Sequence, residues 1–431
     1  MRYGPIAPEL FTDNRRRFRE LLPPASLAVF QSNDVAPTNA DGTLAFRQNN
    51  DLFYLSGVDQ EESILLLFPD AALPQYREIL FLKETSEHIL VWEGYKLTKD
   101  QARQQSGIPT ILWLDSFKQV LHALMNEAEY VYLNTNEHIR AVVEVETRDA
   151  RFIKELQARY PLHQYRRAAP LLHRLRAIKS AEEIRLMRRA CAITGAAFRR
   201  LLGFVRPGVM EYEIEAEIFH EFLRQGSRGP AYGSIIASGA NACVLHYVSN
   251  DRPCQDGDVL LLDFGAEYAN YAADLSRSIP VGGRFTPRQR AVYEAVLRVM
   301  EFAKSQLVPG GHIEEYHAAV GRQMEQELIK LDLLNEQDVQ HHDPAAPLYK
   351  KYFMHGTSHY LGIDVHDVGA KYGRFEPGMV YTCEPGIYIR EEGLGIRLEN
   401  DILITPGGNE DLMADIPLAL DDIERLMQAR S

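Results

Sequence analysis

Residues 258–281 read Asp-Val-Leu-Leu-Leu-Asp-Phe-Gly-Ala-Glu-Tyr-Ala-Asn-Tyr-Ala-Ala-Asp-Leu-Ser-Arg-Ser-Ile-Pro-Val. Asp258–Phe264 is a strongly apolar run of strand length, and Tyr271–Val281 follows as its partner. A turn placed at Tyr268-Ala269 sets Asp263 opposite Asp274, on one face of a hairpin. Two facing carboxylates repel, and one pKa rises sharply, unless a cation neutralises them. Asp263 directly follows Val259-Leu260-Leu261-Leu262, a run that reads as buried on both faces, which argues against an ordinary solvated pair.

Upstream, Ser180-Ala181-Glu182-Glu183 has the pattern of a capping box and opens a helix to about Leu202. Val205-Arg206-Pro207-Gly208 interrupts it, and a second helix runs from Glu211 to Arg224. Downstream the same order returns. Thr286-Pro287 starts a helix to about Gln306, Leu307-Val308-Pro309-Gly310 breaks it, and a helix spans Glu314–Leu331. A strand pair then follows, Met379–Ile389 and Gly395–Thr405. Helix, Pro-Gly break, helix and hairpin occur twice, which predicts a duplicated module with pseudo-two-fold symmetry. In the second hairpin Glu384 and Glu399 are symmetric about Glu391-Glu392 and also face each other.

Between the halves lies Met354–Asp367, with His355, His359 and His366 in a stretch broken by Gly356 and Gly362, the pattern of a shaped loop with a short strand. If the halves are symmetric, both acidic pairs converge and His359 can add an imidazole. Four carboxylates and one histidine carry too much negative charge for one buried divalent ion. They suit two hard or borderline cations, Mn²⁺ before a thiolate-type zinc site, in the arrangement that clamps and activates a bridging water.

The chain has 431 residues, enough for two domains. A net charge of −13 argues against an electrostatic nucleic-acid or anionic-membrane binder. The four cysteines form no disulfide framework. No signal-peptide core and no long apolar run is present, so the expected location is the cytoplasm, with no membrane partner. Residues 1–172 read as a mixed α/β domain. Its expected strands are Ser26–Gln31, Leu52–Ser56, Ser63–Phe68, Glu78–Leu82, 110–114 and 129–133, with helices at 98–105 and 116–127. Asn14-Arg15-Arg16-Arg17 reads as a solvated helix face. Near the C-terminus, Asp421 with Glu424 three residues on reads as a helix cap.

The motifs His246-Tyr247, Asp258-Val259 with Asp263-Phe264-Gly265 and Asp274, His355-Gly356 with Ser358-His359, Val365-His366-Asp367, Glu384-Pro385-Gly386-Ile387-Tyr388, and Gly395-Ile396-Arg397-Leu398-Glu399 occur in order. Residues 180–430 thereby resemble the pita-bread metallopeptidases of the aminopeptidase P type. Arg47-Gln48-Asn49-Asn50-Asp51-Leu52-Phe53-Tyr54-Leu55-Ser56-Gly57 resembles that family's N-terminal domain. The resemblance implies an α/β domain, 1–172, followed by a pita-bread catalytic domain, 173–431. It implies five ligands for two divalent ions, Asp263, Asp274, His359, Glu384 and Glu399, with Asp274 and Glu399 bridging. The ions would be Mn²⁺, with Zn²⁺, Co²⁺ or Fe²⁺ as alternatives.

In the implied reaction a metal-bound hydroxide attacks the scissile carbonyl of an Xaa-Pro bond. Glu384 is the general base, His366 stabilises the tetrahedral intermediate, and His246 and His355 line the proline side. Tyr232, Tyr388 and Arg397 lie near the site. A bond preceding proline has no N–H to grip, so polarising its carbonyl with metals suits it. The rival readings are a prolidase, cutting only Xaa-Pro dipeptides, and an inactive pita-bread binding protein, which the five intact ligand positions oppose. The resemblance also implies a homodimer or homotetramer. Trp92 either reaches a neighbouring subunit's site or packs half-buried in the core.

Overall fold

The computed structural model describes residues 3–343 and 345–429. They divide into two compact units, one formed by Gly4–Arg176 and the other by the chain from Ala177 onward with the N-terminal tip.

In the first unit, helix α1 (Pro8–Glu20) precedes strand β1 (Ser26–Gln31), helix α2 (Asn50–Ser56) and strands β2 (Ile64–Leu67) and β3 (Glu78–Leu82). Helices α3 (Glu87–Trp92) and α4 (Lys99–Ser106), strand β4 (Thr110–Trp113), helix α5 (Phe117–Met125) and strand β5 (Tyr130–Leu133) follow. Helix α6 (Arg148–Arg159), strand β6 (Gln164–Arg167) and helix α7 (Ala169–Ala177) complete it. One mixed sheet has the order β4-β3-β2-β1-β5-β6. Leu27, Val29, Leu66, Phe81 and Val131 on its strands form an apolar core with Phe117 and Leu121 of α5. Each such side chain contributes about 1.5–3 kcal/mol by leaving water.

Two expectations fail here. Leu52–Ser56 is helical, not a strand. Asn49 caps α2, its side chain accepting the amides of Asp51 and Leu52, and Gly57 ends it at φ 68°. Every residue of the helix after Asn50 is buried, so no amphipathic period marks it. The arginine run is only partly solvated. Arg15 is fully buried and donates to the carbonyls of Leu55 (2.8 Å) and Ser106 (2.9 Å) and to Glu78 (3.1 Å).

The second unit repeats its architecture. Helices α8 (Ala181–Phe204) and α9 (Glu211–Arg224) lead to strands β7 (Gly229–Pro230), β8 (Ile235–Ser238), β9 (Val259–Phe264), β10 (Ala266–Tyr268), β11 (Tyr271–Ala272) and β12 (Leu275–Pro280). Helices α10 (Pro287–Gln306) and α11 (Ile313–Lys330), then short α12 (Glu336–His341), lead to β13 (Val380–Cys383), β14 (Gly386–Ile389), β15 (Leu394–Arg397), β16 (Asn400–Thr405), β17 (Gly408–Asp411) and helix α13 (Leu420–Gln428). The capping boxes at Ser180 and Thr286 both form. Gly208 and Gly310, at φ 90° and 84°, make the two helix breaks. The C-terminal helix differs from expectation: Ala419 is its N-cap and no side chain caps it. Glu424 instead accepts the Phe285 amide at 3.0 Å.

The two hairpins decide the site. In the second, Gly386 pairs with Arg397 and Cys383 with Asn400. Continuing that register sets Glu384 directly opposite Glu399, as the symmetry about Glu391-Glu392 predicts. In the first, Ala269 and Asn270 form the tight turn, at φ 53° and 68°, the left-handed pair that a two-residue hairpin needs. Asp263 therefore pairs with Ser276, and not with Asp274. The register differs by two residues from the expected one. Because side chains alternate, a shift of two keeps Asp274 on the same face as Asp263. Gly265 then lies against Asp274's strand so closely that a Cβ would sit 1.7 Å from the Ala273 carbonyl oxygen.

Candidate metal centre

Asp274, His359 and Glu399 each offer a ligand atom within 4.8 Å of one another. The loop 354–367 is held over the hairpins by backbone bonds. The Thr382 amide donates to the His359 carbonyl (3.0 Å), that of Glu384 to Thr357 (2.8 Å) and that of Ala272 to Gly362 (2.8 Å). Apart from one bridge at Tyr360 the loop carries no strand. Helix α11 supports it from behind, with Tyr316 bonded to Ser358 at 2.7 Å.

His359 is oriented by its own backbone. Its Nδ1 lies 2.9 Å from the Tyr360 carbonyl and must donate to it. The lone-pair nitrogen of the neutral ring, Nε2, then faces Asp274 at 3.5 Å and Glu384 at 3.7 Å. A lone pair aimed at two carboxylates is repulsive unless a cation lies between them or the ring is protonated. Burial disfavours the charged ring, yet the bond to Asp274 and the charge of Glu384 outweigh it and hold the pKa up at about 9.

The carboxylates show the same frustration. Burial, then repulsion from Asp274 and Glu384, raises Glu399 well above its usual range. Burial pushes Glu384 to about 7, with His359 opposing. Asp263 is raised by burial, with Arg397 opposing and Asp274 adding repulsion. Glu399 is 2% exposed, and its Oε1 has no hydrogen-bond partner. An orphaned buried carboxylate oxygen beside an imidazole nitrogen that faces two further carboxylates is a donor set that a divalent cation would satisfy in place of a proton. The residues present fit a metal.

The other expected residues surround this set. Tyr232 donates to Asp263 at 2.6 Å and also bonds Asp274. Arg397 makes three donations: Nη2 to Asp263 (2.5 Å), Nη1 to the Tyr388 hydroxyl (2.8 Å) and Nε to the Ser276 hydroxyl (2.8 Å). The direction of the next bonds follows. Tyr388, having accepted from Arg397, gives its proton to His355 Nε2 at 2.8 Å, and His355 Nδ1–H goes to the Gly356 carbonyl at 2.8 Å. His355 is thereby fixed as a neutral ring. Burial, then the charge of Arg397, lowers its pKa to about 3. His366 stands edge-on to His359, ring centres 4.4 Å apart. His246 is exposed but close enough to His355 to help depress its pKa.

Ser276 was not foreseen. Its hydroxyl accepts from Arg397 Nε, so its one proton goes to Glu399 Oε2, 2.7 Å away. It sits directly across from Asp263, and only the true register exposes it as a partner. His317 of α11 lies behind Gly356, with the Thr357 amide 3.4 Å from its Nδ1. Trp92 is 76% exposed and is not a core residue. Among the described residues no helix is long and apolar enough to cross a membrane.

Comparison with known proteins covers nearly the whole chain. Residues 185–406 match metallopeptidase family M24, and residues 11–132 match the aminopeptidase P N-terminal domain. The Xaa-Pro aminopeptidase of Escherichia coli is 37% identical, with 98% of each chain covered. Human Xaa-Pro aminopeptidase 3 is 31% identical over 93% of this chain and 79% of its own. Aminopeptidase PepP of Pseudomonas aeruginosa superimposes with a TM-score of 0.90 at 33% identity, covering 100% and 99% of the two chains. Zinc-substituted Escherichia coli aminopeptidase P in complex with product gives 0.87 at 36% identity, over 99% and 100%. The two-domain α/β and pita-bread architecture is that of these structures. The chain belongs to metallopeptidase family M24, in its Xaa-Pro aminopeptidase group, and is a hydrolase of peptides.

Proposed function

We propose that this enzyme releases the N-terminal residue from peptides with proline second, using two divalent ions. The observation that carries the reading is that Asp274, His359 and Glu399 bring ligand atoms within 4.8 Å of one another, with Glu384 3.7 Å from His359 Nε2 and one buried Glu399 oxygen unpartnered. Asp263, Asp274, His359, Glu384 and Glu399 would hold the ions. Mn²⁺ suits this oxygen-rich set, with Zn²⁺, Co²⁺ or Fe²⁺ as alternatives. When bound, the ions supply Lewis-acid polarisation and make water nucleophilic near neutral pH.

The chain's own residues do the rest. Glu384 accepts the proton of the attacking water and passes it to the prolyl nitrogen as that bond breaks. His366, beside His359, donates to the oxyanion that develops. His355, neutral and fixed by Tyr388 and Gly356, forms a wall against the proline ring with His246. Arg397, Tyr388 and Tyr232 hold the carboxylates in place, Arg397 offsetting part of their charge. A wall that demands no N–H from the second residue suits a tertiary amide.

We assign residues 1–172 to a domain that narrows the entrance of a neighbouring subunit's site in a homodimer or homotetramer, with exposed Trp92 as a contact. The enzyme acts in the cytoplasm, with no nucleic-acid or membrane partner. Metal-stripped protein given Mn²⁺ tests the function on an Xaa-Pro-Xaa tripeptide and an Xaa-Pro dipeptide. Metal-dependent release of the first residue from the tripeptide supports the proposal. Cleavage of the dipeptide alone makes the enzyme a prolidase, and cleavage of neither by metal-loaded protein supports a binding protein.

A further inference from the structure

We infer that Glu211 is a positioning residue that sets the His246 side of the substrate pocket. Glu211 is the first residue of α9 and is fully buried. Its carboxylate accepts four hydrogen bonds, all from one segment. Oε1 takes the Ser238 amide at 2.9 Å and the Asn241 side chain at 3.1 Å. Oε2 takes the Tyr247 hydroxyl at 2.7 Å and the Arg252 amide at 3.0 Å. In return the Glu211 amide donates to the Arg252 carbonyl at 2.9 Å. One carboxylate thus ties the start, middle and end of residues 238–252.

The segment needs such a tie. It carries His246 between half-buried Leu245 and Tyr247, and both Val244 and Val248 are exposed. Its middle has no strand pairing, only two turn bonds, Val244 to Asn241 and Tyr247 to Val244. A buried carboxylate with no ion pair is costly unless donors surround it. Here every donor comes from the segment or from Ser238 at its edge. Moving the segment would leave the charge unsatisfied, so the carboxylate and the segment hold one geometry together. Tyr247 is the link to the site: its hydroxyl is anchored to Glu211 and its chain neighbour is His246. On the other side Leu245, Tyr247 and Met354 pack against the cluster of Ala242, Leu261 and Tyr388, and Tyr388 bonds His355. Among the described residues the hydrogen bonds of Glu211 go to this segment and its own helix, and not to the proposed metal ligands or the Arg397 network.

The inference rests on the proposed role of His246, so three variants are compared: His246→Ala, Tyr247→Phe and Glu211→Gln. Glutamine can still accept from Ser238 and Asn241 but presents a donor towards the Arg252 amide. For a tripeptide with proline second, Tyr247→Phe is expected to raise KM about fivefold and Glu211→Gln about thirtyfold. In both, kcat stays within about twofold and Mn²⁺ per chain is unchanged. Tyr247→Phe keeps the test valid if Glu211→Gln does not fold. If His246→Ala raises KM while Tyr247→Phe and folded Glu211→Gln leave it at the parent value, the clamp is wrong and the His246 role stands. If His246→Ala itself leaves KM unchanged, the role assigned to His246 fails first. A fall in thermal stability with KM unmoved would reduce Glu211 to a purely structural residue and overturn the inference.

Discussion

The two hairpins present their carboxylates differently. In the second, Glu384 and Glu399 lie opposite each other across a turn of Arg390–Glu392 closed by Gly393 in the left-handed region. In the first, Asp263 and Asp274 are offset, and the positions across from them are taken by Ser276 and Gly265. The side-chain lengths match this difference. Long glutamates meet from a directly opposed pair, while short aspartates reach one centre along a diagonal. The offset also frees the position opposite Asp263 for a hydroxyl, Ser276, which ties the first half to Arg397 and Glu399 of the second. A duplicated fold has kept its symmetry at the level of elements and given it up at the level of register.

Removing one carboxylate from each hairpin sets the upper bound on the effect. Asp274→Ala and Glu399→Gln should each lower kcat/KM by about a thousandfold or more, about 4 kcal/mol of transition-state stabilisation. Steady-state assays with saturating Mn²⁺ measure it. Retention of parent activity by either variant would remove that hairpin from the mechanism.

The glycines separate the hairpins on stability. A methyl at Gly265 would meet fixed backbone at 1.7 Å, whereas at Gly386 it would meet the Tyr388 hydroxyl at 2.6 Å and the Ile396 carbonyl at 3.0 Å. Gly265→Ala should cost about 3 kcal/mol or more and Gly386→Ala roughly half that. Thermal or urea unfolding reports the order, and equal costs would contradict the close approach at Gly265.

Ser276→Ala should lower kcat/KM about tenfold and weaken Mn²⁺ binding, since Glu399 Oε2 loses its donor. Ser276→Thr, keeping the hydroxyl, should restore both. Calorimetric Mn²⁺ titration distinguishes this from general destabilisation.

The remaining effect is on pH. In metal-free protein Glu384 is raised from 4.5 to about 7 and His359 from 6.5 to about 9. A raised pKa means that the folded state binds more protons than the unfolded one. Each group's contribution is complete below its unfolded pKa and is lost as pH climbs through its folded one. Metal-free protein should therefore lose stability between about pH 4.5 and 9, while the gain in Tm on adding Mn²⁺ grows across that window. A metal-free stability that rises over the same range would reverse the electrostatics described for the site.

What could be read from the sequence follows the range of the interactions. The capping boxes at Ser180 and Thr286 and the Pro-Gly breaks are local, so the repeated helices were legible. The Glu384–Glu399 register was legible because its turn ends in a glycine. The first register was not, because Ala269 adopts a left-handed φ that alanine rarely takes, and Asn270 was the only local hint. Helix α2 was hidden because burial on every side erases periodicity. Arg15, Ser276 and Glu211 were invisible as partners for a different reason. Their bonds span from 27 to 123 positions along the chain, and no local pattern encodes them.

The central claim is that the offset aspartates and opposed glutamates form one centre for two ions. The direct measurement is elemental analysis of metal per chain after Mn²⁺ loading and desalting, on the parent and on Asp274→Ala. The account predicts two ions per parent chain and at most one, weakly held, in the variant. A folded parent chain that retains no metal, or a variant that still retains two ions, would contradict it.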